Sequence, residues 1–315
     1  MANKYLAILF LLSGFVITSC GSGKSENKLS GEVKIDGSST VYPITEAVAE
    51  EYRKVQPDVR VTAGSSGSGA GFKKFARGET DISDASRAIT EEEVKLCHEN
   101  GINFKELTVA LDGISIVVNP ENDWMDHVTP EELKKIWSPE SDVKKWSDIR
   151  DGWPDQEIHL FGPNTAHGTY DFFTEAIMGE SGASRADYNA VSDYNVAVQG
   201  ISTDKYALGY FGLAYYEENK DKLKLIGVDS GNGPVDPSLE TVKNGTYKPL
   251  SRSLYIYIAE SAAKRPEVQS FVEFYLDNAA SLSKAVGYVP LPDKEYKAQK
   301  SEFSSFASET QEAAQ

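Results

Sequence analysis

Three stretches of this sequence place hydroxyl and glycine residues where a strand hands over to a helix. They are Asp36-Gly37-Ser38-Ser39-Thr40-Val41-Tyr42-Pro43, Gly64-Ser65-Ser66-Gly67-Ser68-Gly69-Ala70-Gly71 and Gly162-Pro163-Asn164-Thr165-Ala166-His167-Gly168-Thr169. At such a junction the first backbone N–H groups of the helix lack an intrahelical acceptor and the helix dipole is positive. Ser and Thr add hydroxyl donors, and glycine lets the main chain approach closely. Each stretch is a neutral device for holding an anion. Each alone also suits an ordinary helix cap, which wants the same residue types, so the reading rests on their repetition in one chain. A fourth stretch, Asp81-Ile82-Ser83-Asp84-Ala85-Ser86-Arg87, adds a hydroxyl and a guanidinium that can fork two hydrogen bonds onto one oxyanion. If the four converge, a tetrahedral oxyanion finds many donors and one fixed positive charge.

Other chemistry finds little support. The stretch Gly67 to Lys74 lacks the G-K-[ST] ending of a nucleotide P-loop and reads G-S-G-A-G-F rather than G-x-G-x-x-G. No G-x-S-x-G nucleophile elbow occurs. The four histidines, His98, His127, His159 and His167, are scattered without metal-ligand spacing, so no metal or other cofactor is expected. Cys97 stands in a polar helical stretch and reads as a spectator thiol.

The elements that must position these loops alternate strand with helix. Gly31 to Ile35 reads as a strand and Pro43 to Val55 as a helix with Ile44, Val48, Tyr52 and Val55 on one face. A strand at Asp58 to Ala63, a helix at Gly71 to Gly78 and a strand at Asp81 to Ala85 follow, then a helix at Glu91 to Asn100. Phe104 to Ala110 and Gly113 to Asn119 read as two strands. Later come a helix at Thr129 to Trp137, a strand at Glu157 to Phe161 and a helix at Tyr170 to Met178. Asn195 to Ser202 reads as helix, and Ala207 to Gly212, Leu223 to Val228 and Ser253 to Ile258 read as strands. Pro266 to Asn278 and Ser281 to Val286 read as two helices. This grammar predicts an α/β fold with a mostly parallel sheet flanked by helices.

The ends read differently. Lys4, an apolar run from Tyr5 to Val16 and Ile17-Thr18-Ser19-Cys20-Gly21 have the form of a lipoprotein signal peptide over residues 1–20, with Cys20 as the lipidated residue. Residues 21–30 read as a flexible tether and residues 301–315 as a frayed tail. The expected location is the cell envelope, anchored to a membrane on its periplasmic or extracellular face. A formal charge of −16 argues against nucleic acid as a partner, and any anion must be held by local donors.

Seven stretches in order carry a resemblance: DGSSTVYPITEAVAEEY, SGSGAGFKKFARGETDISDASR, LTVALDGISIVVNP, EELKKIW, KKWSDI, GTYDFFTEAI and ALGYFGLAYYEE. Together they resemble the phosphate-binding proteins of ABC-type phosphate transporters from about Glu32 to Pro292. The resemblance implies a two-lobed, type II-like periplasmic-binding-protein fold. One lobe would hold residues 31–114 plus 251–300 and the other residues 115–250. It implies a non-enzymatic, monomeric receptor that closes by a hinge over inorganic phosphate and delivers it to a membrane permease. Carried over position by position, the contacts would be Ser39, Thr40, Ser68, Ser86, Arg87, Gly168 and Thr169.

Two positions depart from the usual pattern. His167 stands where many members have Ser, and Pro163 where many have Arg, leaving Arg87 as the main cation. His167 could donate to phosphate or face solvent. A carboxylate acceptor would favour protonated phosphate over sulfate, with Asp84 the nearest candidate and Asp36 and Asp171 behind it. A receptor for sulfate or molybdate, a secreted phosphohydrolase and a lipid-anchored scaffold are the competing readings.

Overall fold

The computed structural model describes residues 29–165 and 167–312. The signal segment, Cys20 and the tether up to residue 28 lie outside the described residues. The chain begins β1 (Gly31–Gly37), α1 (Tyr42–Val55), β2 (Val59–Gly64), α2 (Ser68–Ala76), β3 (Ile82–Ala85), α3 (Glu91–Glu99) and β4 (Phe104–Val118). It continues through β5 (His127–Val128), α4 (Pro130–Trp137), β6 (His159–Pro163), α5 (Gly168–Met178), β7 (Asn189–Val191), α6 (Tyr194–Thr203), β8 (Ala207–Gly212) and α7 (Leu213–Asn219). Then come β9 (Lys224–Asp229), β10 (Pro234–Val235), α8 (Leu239–Lys243), β11 (Ser251–Ala259), α9 (Glu260–Ala263), α10 (Pro266–Ala285) and α11 (Asp293–Glu312).

The strands join in the order β2-β1-β3-β11-β4-β8-β6-β7, with β9 also along β4 and carrying β5 and β10. Parallel ladders link β1 to β2 and β3, β6 to β7 and β8, and β5 to β9. Antiparallel ladders fill the centre: β11 with β3 and β4, and β4 with β8 and β9. The sheet is therefore mixed rather than mostly parallel, because β11 returns from late in the chain to lie between β3 and β4.

β4 is the spine. Expected as two strands, it is one, buried almost throughout its second half. Asp112-Gly113 has turn chemistry, but tertiary structure overrides it. Asp112 faces Arg252 in the ladder, and a Cβ on Gly113 would come within 2.9 Å of Val242. From Phe104 to Gly113 the strand pairs with β11, and from Ile114 to Val118 with β8.

The helices follow local rules. In α1, Pro43 suits the first turn, and Ile44, Val48 and Tyr52 are buried. Val55, expected on the same face, is exposed at the last turn. Thr90 with Glu93 and Thr129 with Glu132 form reciprocal caps on α3 and α4. α10 runs unbroken where two helices were expected. Residues 301–312 are helical, not a frayed tail. Tyr296, Phe303 and Ala307 share one buried face of α11, and the Tyr296 hydroxyl donates to the Val109 carbonyl at 2.7 Å.

Candidate functional site

The ends of β1, β2 and β3 are stitched together before any ligand is considered. Ser38 N–H donates to the Asp84 carbonyl at 2.9 Å, and Gly67 N–H donates to the Gly37 carbonyl at 2.7 Å. Two glycines permit this. Gly37 has φ 149°, and a Cβ there would lie 2.0 Å from the Asp84 oxygen; a Cβ on Gly71 would lie 2.5 Å from Gly37 Cα. Any larger residue at position 71 would push the start of α2 off the end of β1. Asp36 secures the second loop by accepting from Ser66 N–H at 3.2 Å, from the Ser66 hydroxyl and from Lys74. Burial pushes its carboxyl up, but the bonds from Lys74 and Ser66 win and hold it below the ordinary value. Asp36 is thus committed to the scaffold.

These loops line a cleft of 260 Å³. From the starts of α1 and α2 and the end of β3 come Ser38, Ser39, Thr40, Gly67, Ser68, Gly69, Ser86 and Arg87. From α5 and the turn after it come Asp171, Glu175 and Ser181, and from β11 comes Arg252. Ser38 Oγ accepts from the N–H groups of Thr40 and Val41 at 3.2 and 3.4 Å, which sets the turn into α1. The Ser68 and Ser86 hydroxyls stand 3.3 Å apart, and Ser86 N–H donates to Ser68 Oγ at 3.1 Å. α2 is capped by a glycine that offers no side-chain acceptor, and the residues that open the helix, Ser68 and Gly69, line the cleft.

Two arginines supply the charge. Arg87 forks onto Glu93 through two bonds of 2.8 Å and lies over the Phe72 ring, and the bond to Glu93 raises its pKa. Arg252 lies on the Phe172 ring with its guanidinium carbon 3.8 Å from the centroid. Its Nε donates to Asp112 at 3.2 Å, its Nη2 donates to Thr40 Oγ1 at 2.8 Å, and its Nη1 stands 3.7 Å from Glu175. Asp112 is buried, which pushes its carboxyl up while the Arg252 charge pulls the other way. Arg252 and Asp112 escaped the sequence reading because they lie 140 residues apart and meet only through the β4–β11 register. The available signal was a charged residue of each sign beside an apolar run, Asp112 in LDGISIVV and Arg252 in SRSLYIYIA.

The remaining expected residues fall in different places. Gly168 begins α5, where a Cβ would stand 3.6 Å from Thr40 Cα and 3.1 Å from the Tyr288 hydroxyl, so the third loop abuts the first. Thr169 is buried beside Tyr194. His167 Nε2 donates to the Ser192 carbonyl at 3.1 Å, and its ring packs on Tyr194, so the imidazole ties α5 to the β7–α6 turn instead of entering the cleft. Asp84 is fully buried beneath the loops and accepts from Thr45 at 2.8 Å. Burial pushes its carboxyl up to about 7, against the pull of that hydrogen bond. Its side chain lies outside the cleft lining. Of the three carboxylates considered, only Asp171 lines the cleft, where the Ser181 hydroxyl donates to it at 3.2 Å.

The domain model of the PBP superfamily matches residues 22–279 and places the chain in that superfamily. The chain is 47% identical to the protein SphX of Synechocystis over 94% of its own length and 87% of that protein's. It is 43% identical to the phosphate-binding protein PstS of Staphylococcus saprophyticus over 92% of its length and 90% of that protein's. A crystal structure of a possible phosphate binding protein from Planctomyces limnophilus, 44% identical, superposes with a TM-score of 0.84 over 88% of this chain and 99% of its own. An ABC-type phosphate transport receptor from Vibrio cholerae, 25% identical, matches 83% of this chain and 100% of its own with a TM-score of 0.63. Within the superfamily, this chain belongs to the family of the SphX and PstS proteins.

Proposed function

We propose that the chain is the substrate-binding component of an ABC-type phosphate transporter and captures inorganic phosphate in the cleft between α1, α2, α5 and β11. The observation that carries this reading is the convergence of three loop-borne donor sets, those of Ser39, Ser68 and Ser86, on one small cleft with two arginines. The ligand would take hydroxyl bonds from Ser39, Thr40, Ser68 and Ser86 and charge from Arg87 and Arg252. The amides that open α2 and α5 add their dipoles, with Gly168 and Thr169 at the second of these. Relatives named for phosphate binding support the choice of anion.

The mechanism is closure without chemistry. The pairing of β4 with β11 up to Gly113 and with β8 from Ile114 supports a lobe of residues 31–114 plus 251–300 and a second lobe of residues 115–250. α5 belongs to the second lobe, whereas the Ser39, Ser68 and Ser86 loops belong to the first. An anion held by both removes water from between them, and each contact strengthens in the drier cleft. A membrane permease then receives the ligand from the closed form. The lipid-anchored, envelope-facing state follows from the Cys20 reading, and a monomer suits a receptor that alternates between open and closed forms. The cleft offers hydroxyls, guanidiniums and carboxylates but no histidine base, since His167 is spent on Ser192. That composition suits holding an oxyanion better than cleaving an ester.

Calorimetric titration of protein stripped of bound anion by unfolding and refolding tests the reading. One-to-one binding of phosphate, with sulfate and molybdate much weaker, is the expected result. Equal binding of sulfate would overturn the named ligand, and no heat with any oxyanion would overturn the function.

A further inference from the structure

Resting on the reading of this cleft as an oxyanion site, we propose that Glu175 is a built-in counter-anion. It faces the remaining corner of Arg252 across the cleft, and the incoming ligand must displace it. The guanidinium has three partners of unequal strength. Asp112 is almost wholly buried and hydrogen-bonded to Nε; Thr40 is buried and hydrogen-bonded to Nη2. Glu175 faces Nη1 at 3.7 Å, beyond hydrogen-bond length, and its side chain is 64% exposed. The contact is charge without directional bonding, in water, and is the easiest of the three to break.

Position gives the residue its meaning. Gly168, Asp171 and Glu175 lie at i, i+3 and i+7 of α5, on one face of the helix. That face meets the cleft, with Asp171 and Glu175 both in its lining. Glu175 also raises the pKa of Arg87, so its charge is felt by both arginines. A carboxylate there has the same sign as the ligand and competes for the same cations. While the cleft is empty, it draws α5 towards β11. When a dianion enters, the two repel, and part of the ligand's binding energy goes into moving Glu175 aside. Such competition acts on charge and not on the identity of the anion. Glu175 therefore sets the affinity threshold without setting selectivity.

The test compares Glu175→Gln with wild type, using Asp58→Asn, at an exposed position before β2, as a control for the change in net charge. Glu175→Gln should bind phosphate about tenfold more tightly than wild type at low salt, and the gain should shrink as added salt screens the charge. Any other oxyanion that wild type binds should tighten by a similar factor, and Asp58→Asn should match wild type. Small-angle scattering should show a larger radius of gyration for empty Glu175→Gln than for empty wild type, with the two equal once saturated with phosphate. Equal affinity in wild type and Glu175→Gln would reduce the pair to a surface contact and overturn the proposal. Weaker phosphate binding with a collapsed preference over sulfate would overturn it in favour of Glu175 as a proton acceptor. If wild type binds no phosphate, the functional reading falls by itself. The scattering arm then still decides whether Glu175 draws α5 towards β11, because an unchanged radius for the variant overturns it.

Discussion

The two arginines of the cleft live in opposite settings. Arg252 is 14% exposed, stacked on Phe172 and bonded to a carboxylate inside the sheet. Arg87 is 42% exposed and forks onto a helix-cap carboxylate, Glu93, at the surface. The buried pair is fixed by the ladder that carries it and is costly to break, because either partner alone would be an uncompensated charge in the core. The exposed pair is adjustable, since water can replace either partner. In the proposed site, a cation fixed by the sheet would define where the anion sits, and a more exposed one would adjust to it.

Breaking the rigid half should have the largest effect. Asp112→Ala strands Arg252 and should lower stability by about 3–5 kcal/mol in urea unfolding, with phosphate binding lost alongside. Asp84 shows what a buried carboxyl becomes without an arginine. Its folded pKa of about 7 lies above the ordinary unfolded value. Its contribution is therefore full at acid pH, below the unfolded pKa, and is lost as pH rises through the folded pKa. Asp84→Asn should flatten the wild-type decline in urea stability between about pH 4 and pH 8, a difference on the order of 3 kcal/mol. Unchanged slopes would show that Asp84 is ionised in the core. Arg252→Lys keeps the charge but loses the planar fork shared between Asp112 and Thr40, and should weaken phosphate by ~100-fold in calorimetry. Arg87→Ala should weaken it by about tenfold. If the two arginine variants proved equal, the contrast between a fixed and an adjustable cation would fail. The smallest effect belongs to His167→Ala, which should leave affinity within about twofold while lowering the melting temperature slightly, since it removes one hydrogen bond outside the cleft.

The sequence made the loops legible because their chemistry is local. Glycine, hydroxyls and Pro43 at a strand-to-helix junction state their purpose within eight residues. The same locality misled at Asp112-Gly113, where turn residues sit inside the longest strand. Their reasons lie far off in sequence, in Arg252 and Val242. Arg252 was invisible for the same cause, because a ladder register joins residues that no window spans together. His167 was found by position but not by role, as a motif gives the residue without the rotamer that turns it to Ser192. Asp84 erred likewise: alternation along β3 cannot say which face holds the ligand when all four residues are buried. In the last helix, polar composition hid the spacing of Tyr296, Phe303 and Ala307.

Asp112 and Arg252 face each other at the point where β4 exchanges one neighbour for another. If the two proposed lobes turn about β4, that point is in mechanical language an axle, and the cleft's firmest charge is mounted on the axle instead of on either rim. The sheet extends from there to β2 on one side and β7 on the other, so a small rotation at the centre would sweep both margins through a long arc. Occupancy at the pivot would then be legible at distant surfaces as leverage, with no chain of intermediate contacts required to relay it.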